Sequence, residues 1–384
     1  MPRGLPRATV LESLRLAALL APQGPPHLLR RRDPLRSRSL LADLESRYGG
    51  RPVLVRGLRG PALLILSKRD ALRVVSGDDD AYAPAVEPHP SGLTSDVLRP
   101  AFIEIAREEA GHLTTGVVDH ARLSARWERV ARRCVYGDGA ASDKELTRLL
   151  TALTRAGGRR RGRRALRRQE ILSGRYDARI IDHLRRAEPG SLAGLIAETP
   201  EAESRRLMQA AFWLMGFDVA GAALTHTLAL VAAHPRQRKT ARADPGYLRA
   251  CLREGLRLWP PVPVLARVTT AETSWYGTTL PAGRTVLVPV AAHQRNPRLP
   301  YANSFAPEIW LDGTAAEEWW ARPGCDGVHL TLAIGTAFLG TILREARPRP
   351  VGRVLSPHRP LPHSLNLSRL RVTMRPVRRK PSSG

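Results

Sequence analysis

The residues best placed to do chemistry stand in the run WWARPGCDG at positions 319–327. Cys325 is one of three cysteines in the chain. Pro323 and Gly324 put it on an irregular loop, and the apolar run 328–343 beyond Gly327 reads as a helix. The free N–H groups at a helix N-terminus favour negative charge, so a thiol at such a junction is drawn towards thiolate. A thiolate there is a nucleophile or a metal ligand; a buried thiol that only packs is the plainer reading. Upstream, Glu254 and Arg257 are three apart and so share one face of a helix. Leu252, Leu256 and Leu258 surround them, which suggests a partly buried ion pair instead of an ordinary surface one. Asp218 is the only formal charge between residues 207 and 233. A lone carboxylate in an apolar helix is costly unless it has a partner or a task. The structural alternative is that it caps or kinks a core helix near Gly216.

The elements that must position these groups can be read from pattern. Residues 207–233 are long and apolar enough to suit a membrane, but Gln209, Thr225, His226 and Thr227 interrupt them, so a helix through the centre of a large domain is the better reading. Residues 247–259 form a helix stopped by Pro260 and Pro261. Strands follow at 262–268, 278–280 and 285–290, with a turn at 281–283, and then a long irregular segment at 293–322. Near the N-terminus, residues 51–56 and 61–66 read as a hairpin and Ser67 caps a short helix over 68–75. Residues 101–150 are helical with a break at 137–139, further short helices lie at 176–186 and 191–197, and residues 365–374 alternate like one or two strands. The acidic triplet 78–80 points in different directions and reads as a solvated turn. The basic run 159–168 has no interleaved aromatics and reads as a solvated loop and helix start.

The chain has 384 residues, 43% of them hydrophobic, enough for a sizeable core. An odd number of cysteines argues against a disulfide framework and fits a reducing cytosol. The net charge of +26 is carried almost wholly by arginine spread along the chain. It would attract nucleic acid, anionic membranes or acidic proteins. No nucleic-acid motif accompanies it, so nucleic-acid binding ranks low. The N-terminal apolar run 10–21 is too short and too charged to span a bilayer. A cytoplasmic protein without a transmembrane segment is expected.

Taken in order, the long helix, Glu254-x-x-Arg257, the proline-rich strands, Phe305-x-Pro307-Glu308-x-Trp310 and Cys325-x-Gly327 before a helix resemble the cytochrome P450 family of haem-thiolate monooxygenases. The resemblance is clearest over residues 207–343. It implies a mainly α fold with a small β region, taken as one domain over 1–384 with 1–45 and 375–384 peripheral. It implies haem b, with Cys325 as the axial thiolate to iron. Arg267 falls where the family places a partner for a haem propionate, and Arg322 is expected to reach a propionate from the cysteine loop. Glu254 and Arg257 become a structural pair tying the core helix to the segment before the cysteine. Asp218 falls on the acid of the family's glycine-x-acid-threonine stretch and becomes the catalytic proton relay.

The sequence departs from the family pattern in four places. Val219 stands where the threonine is usual, and Ile309 where an arginine is usual. Glu318 occupies the phenylalanine position of a shortened cysteine loop, and no Trp-x-x-x-Arg motif follows Tyr82. The activity implied is oxidation of a small apolar substrate with dioxygen. Electrons would come from a separate partner of the ferredoxin type, since no flavin or nicotinamide motif is present. The alternative is a member that keeps the fold but serves as a binding or partner protein.

Overall fold

The computed structural model describes residues 4–13, 16, 34–57, 60–75, 81–84, 95–157, 162–315, 326–352 and 355–377. The N-terminal part holds helix α1 (Pro34–Tyr48), strands β1 (Val53–Gly57) and β2 (Gly60–Leu64), helix α2 (Lys68–Val75) and strand β3 (Tyr82–Pro84). Ser67 caps α2 through its hydroxyl, which accepts from the Asp70 amide at 3.1 Å. A mostly helical stretch follows, with α3 (Arg99–Gly111), β4 (Gly116–Asp119), α4 (His120–Tyr136), α5 (Lys144–Gly157), α6 (Arg163–Arg186) and α7 (Leu192–Ala197). Then come α8 (Glu203–Ala233), α9 (Pro235–Ala243) and α10 (Pro245–Leu258). The last part holds strands β5 (Leu265–Thr269), β6 (Thr273–Trp275), β7 (Thr278–Leu280) and β8 (Thr285–Val288), a short helix α11 (Val290–Gln294), the helix α12 (Asp326–Glu345), and strands β9 (Ala346–Pro350) and β10 (Arg371–Pro376).

Among the described residues the architecture is mainly α with three small sheets. The helix α8 runs through the main core, and every residue from Ala220 to Ala233 is buried. Both α8 and α12 are long and apolar enough to cross a membrane, but 78% of the most apolar window of α8 is inside the protein. Packing thus accounts for the apolar length of α8. Trp127 of α4 joins three helices. Its ring lies 5.6 Å from Phe217 of α8 and 5.5 Å from Phe338 of α12, and its indole N–H donates to the Phe217 carbonyl at 2.6 Å. A Cβ at Gly221 would stand 2.9 Å from that ring, so the close approach of α4 and α8 depends on this glycine. Glu109 of α3 is buried and takes Arg129 at 2.6 Å and Arg133 at 3.1 Å, which fastens α3 to α4.

The largest sheet has the order β1-β2-β8-β5-β3. The β1–β2 hairpin is antiparallel with Val53 opposite Leu64, and β2 pairs with β8 in parallel. A second sheet has the order β4-β10-β9, and β6 pairs with β7.

Several elements differ from the pattern reading. The strand β4 sits within what reads as continuous helix, because its residues answer to β10 far along the chain. The strand β9 carries Pro348 and Pro350, which a sheet tolerates only at an edge, and β9 is the edge strand. The helix α6 begins at Arg163 and absorbs part of the basic run as an exposed helical face. Residues 290–294 form α11 where a strand end and irregular chain were expected. The triplet 78–80 and residues 159–161 of the basic run lie outside the described residues.

Candidate active site

Glu254 and Arg257 lie near the end of α10, and both are buried. The guanidinium Nε and Nη2 each donate to a different Glu254 oxygen at 2.7 Å. Two charges taken from water are stabilised only when geometry is good and their remaining bonding capacity is used. Both conditions hold. The Ala306 amide donates to Glu254 at 3.0 Å and the Trp310 indole N–H at 3.1 Å. Arg257 also donates to the carbonyls of Gln294 at 2.8 Å, Tyr301 at 3.0 Å and Ser304 at 3.2 Å. The pair therefore fixes the irregular chain between residues 294 and 310 to α10. Ile309 is buried beside Trp310 and Ala250, and the Arg253 guanidinium lies 4.4 Å from the Trp310 ring centre. A Cβ at Gly255 would fall 2.5 Å from Thr227 Oγ1, so the glycine lets α10 lie close on α8.

Asp218 stands half-buried near the middle of α8. Burial lifts its carboxyl to about 6. Two groups that the sequence reading missed share its surroundings. Burial raises the Glu128 carboxyl of α4, and the charge of Asp218 adds to this. The Tyr176 hydroxyl of α6 is buried, has no hydrogen-bond partner among the described residues, and lies within reach of the same charge. Neither has a motif; folding brings three helices together there. Gly216, one turn or less from Asp218, is exposed, and a Cβ on it would meet nothing within 4 Å. The helix α8 is therefore open at Gly216, on the face that Val219 shares and that lies opposite Asp218.

Arg267 is buried on β5, opposite Val286 of β8 and Pro84 of β3. Its Nη1 donates to the Ala266 carbonyl at 3.3 Å. Cys325 and Arg322 lie among residues 316–325, outside the described residues; α12 begins at Asp326, the residue after the cysteine. The other two cysteines are buried, and burial pushes both thiols up, so neither is a thiolate near neutral pH. The open space at Gly216 would admit a flat group, and the guanidinium of the buried Arg267 suits a carboxylate such as a haem propionate.

Residues 229–320 match the Cytochrome P450 family model. The chain is 32% identical over 166 residues to Cyclooctat-9-en-7-ol 5-monooxygenase of Streptomyces melanosporofaciens, covering 36% of this chain and 36% of that protein. It is 27% identical over 171 residues to Cytochrome P450 4c3 of Drosophila melanogaster, covering 37% and 32%. The matched stretch thus spans about a third of the length of these curated relatives. Among solved structures, CYP175A1 from Thermus thermophillus superposes with a TM-score of 0.70 at 19% identity, covering 97% of this chain and 100% of that one. Retinoic acid bound cyanobacterial CYP120A1 gives 0.71 at 14% identity, covering 88% and 94%. At these identities the structures speak for a shared fold.

Proposed function

We propose, from the premise that this chain belongs to the cytochrome P450 family, that it is a haem-thiolate monooxygenase oxidising a small apolar molecule. The observation that carries this reading is the opening of α8 at Gly216, across the helix from the half-buried Asp218, in a chain whose matched segment leads up to Cys325. Haem, held by Cys325 with Arg267 and Arg322 at its carboxylates, would supply the iron for oxidation by dioxygen. The protein's own part is as follows. Cys325 holds the iron as thiolate, favoured by the N–H groups at the start of α12. Arg267 and Arg322 pair with the propionate carboxylates. Glu254 and Arg257 keep the chain that leads to the cysteine in one conformation. Asp218 holds a proton at its carboxyl and releases it close to neutral pH, as its value of about 6 allows. Val219 has no hydroxyl, so that proton passes by ordered water.

The electrons come from a separate protein in the cytoplasm. A net charge of +26 favours an acidic partner, and we assign this role to a ferredoxin. The relative from Streptomyces melanosporofaciens bears the name of a monooxygenase, which supports the reaction class and leaves the compound to be found. The test is the spectrum of haem-loaded protein, reduced and exposed to carbon monoxide. The red-shifted thiolate band is expected in wild type and should vanish in Cys325→Ala. Wild type that takes up haem without ever showing the band would point instead to a fold kept for binding, the reading that the shortened cysteine loop and the missing Trp-x-x-x-Arg favour.

A further inference from the structure

The sheet of β4, β10 and β9 turns one face inward and one outward. Val118, Val372, Met374, Ala346 and Pro348 are buried on the inner face. Side chains alternate along a strand, so the residues between them lie on the other face. Arg371 and Arg375 of β10 and Arg347 and Arg349 of β9 stand there, all exposed. The register sets Arg347 directly opposite Arg375 and Arg349 opposite Thr373. Thr373 is in turn opposite Val117 of β4, and Arg371 is opposite Asp119. Val117 is 50% exposed; Val351, whose amide donates to the Arg371 carbonyl at 2.8 Å, is 43% exposed.

Like charges directly opposite on a sheet repel and cost stability. None of the four arginines has an ion pair among the described residues. The carboxylate of Asp119 is occupied in capping α4, where it accepts from the Arg122 amide at 2.9 Å. Glu345, at the end of α12, is the acid next along the chain. At the outer edge of β9 stands a fifth cation, Arg238 of α9, which donates to the Pro348 carbonyl at 3.2 Å. Burial first, and then the charges of Arg349 and Arg347, hold its guanidinium below its ordinary value. Folding thus gathers cations on this face without giving them anions.

We propose that this sheet face docks the chain on the anionic phospholipid surface of a membrane, with the four guanidinium groups on headgroup phosphates and Val117 and Val351 at the acyl boundary. Neighbouring strands lie about 4.8 Å apart and alternate residues about 6.7 Å, so the arginines form a flat grid that suits a flat, repeating anion. The exposed valines favour lipid over nucleic acid, and among the described residues the face carries no aromatic ring on which a base could stack. An acidic electron donor is not served here. The helix α12 begins one residue after Cys325 and has 20 residues, so its far end, where β9 starts, lies about 30 Å from that thiol.

The test is co-sedimentation of the full chain with vesicles of phosphatidylcholine alone, and of phosphatidylcholine and phosphatidylglycerol in equal parts, at about 0.1 M salt. Binding to the mixed vesicles is expected, and little to phosphatidylcholine. Replacing Arg347, Arg349, Arg371 and Arg375 together by Gln should weaken binding at least about tenfold. Replacing the exposed Arg163, Arg164, Arg167 and Arg168 of α6 by Gln removes the same charge elsewhere and should weaken it about threefold or less. Thr373→Glu puts a carboxylate opposite Arg349, so it should raise the urea midpoint while weakening vesicle binding. The proposal is overturned if the chain ignores the mixed vesicles, or if the α6 variant loses as much binding as the sheet variant. It is overturned too if Thr373→Glu, folded, binds as wild type does. Tighter binding of duplex DNA at equal phosphate concentration, lost in the same sheet variant, would overturn it in favour of nucleic acid. None of these readings needs haem, so their failure is distinct from failure of the thiolate band.

Discussion

At Asp218 the chain keeps a carboxyl partly out of water without giving it a fixed cation. Its value rises from an ordinary 3.8 to about 6. In that window the native state binds a proton that the unfolded state has released, so this group makes stability fall as pH rises from about 4 to about 6. The size is at most about 3 kcal/mol, less whatever solvent screening removes. Asp218→Asn should flatten this part of a urea-midpoint profile. In haem-loaded protein it should slow turnover while leaving the substrate-induced spectral shift in place. Weakened substrate binding with unchanged turnover would make Asp218 a pocket residue. His226, two turns along the same helix, behaves with the opposite sign. It is buried, neither ring nitrogen has a hydrogen-bond partner among the described residues, and its ring lies 4.9 Å from that of Trp259. Burial, with the His120 charge adding, pulls it down to about 3. The unfolded state takes up this proton below about 6.5 and the native state resists, so stability is lost as pH falls from about 6.5 towards 3. By pH 4 the loss is about 3 kcal/mol from this group. His226→Phe keeps the ring contact and removes the titration. Its stability should fall less than that of wild type between pH 7 and pH 4.5, and an unchanged acid limb would show that other groups govern it.

At the scale of elements, α10 is the joint of the molecule. It presses on α8 through Gly255 and holds the chain from Gln294 to Trp310 through one ion pair with five further hydrogen bonds. Removing the carboxylate leaves Arg257 charged, buried and short of its partner. Glu254→Ala should therefore cost about 3–5 kcal/mol, read as a lowered urea midpoint or as little soluble protein. A variant of normal stability would mean that the carbonyls of Gln294, Tyr301 and Ser304 suffice to hold the guanidinium. Arg295 does similar joining work nearby, donating to the carbonyls of Leu258 at 3.1 Å, Pro362 at 3.0 Å and Leu361 at 3.0 Å.

For the whole molecule, the excess of positive charge outlasts every local pairing. Several arginines are spent on Glu109, Asp143 and Glu254, yet the net charge remains +26. Long-range attraction to an acidic electron donor should follow, and it should be screened by salt, since the Debye length falls from about 10 Å at 0.1 M to about 3 Å at 1 M. Electron transfer from an acidic ferredoxin to haem-loaded protein should slow markedly between about 0.05 M and about 0.5 M salt. A salt-independent rate would mean that the charge plays no part in docking.

The sequence by itself carried the elements whose cause is local. The apolar run of α8, the proline stop after α10, the Ser67 cap and the hairpin of β1 and β2 all follow from periodicity and turn chemistry over a few residues. The spacing of Glu254 and Arg257 likewise put them on one face before any fold was known. What only the tertiary structure decided depends on residues far apart in the chain. The strands β4 and β9 exist because β10 pairs with both, and no pattern within four or five residues reports a partner so distant. Glu128 and Tyr176 come within reach of the Asp218 charge only because helices from separate regions converge. Burial has the same origin. The charge state of Asp218 and His226 is set by how much water the packed helices exclude, a quantity that belongs to the assembled core and to no short stretch of sequence.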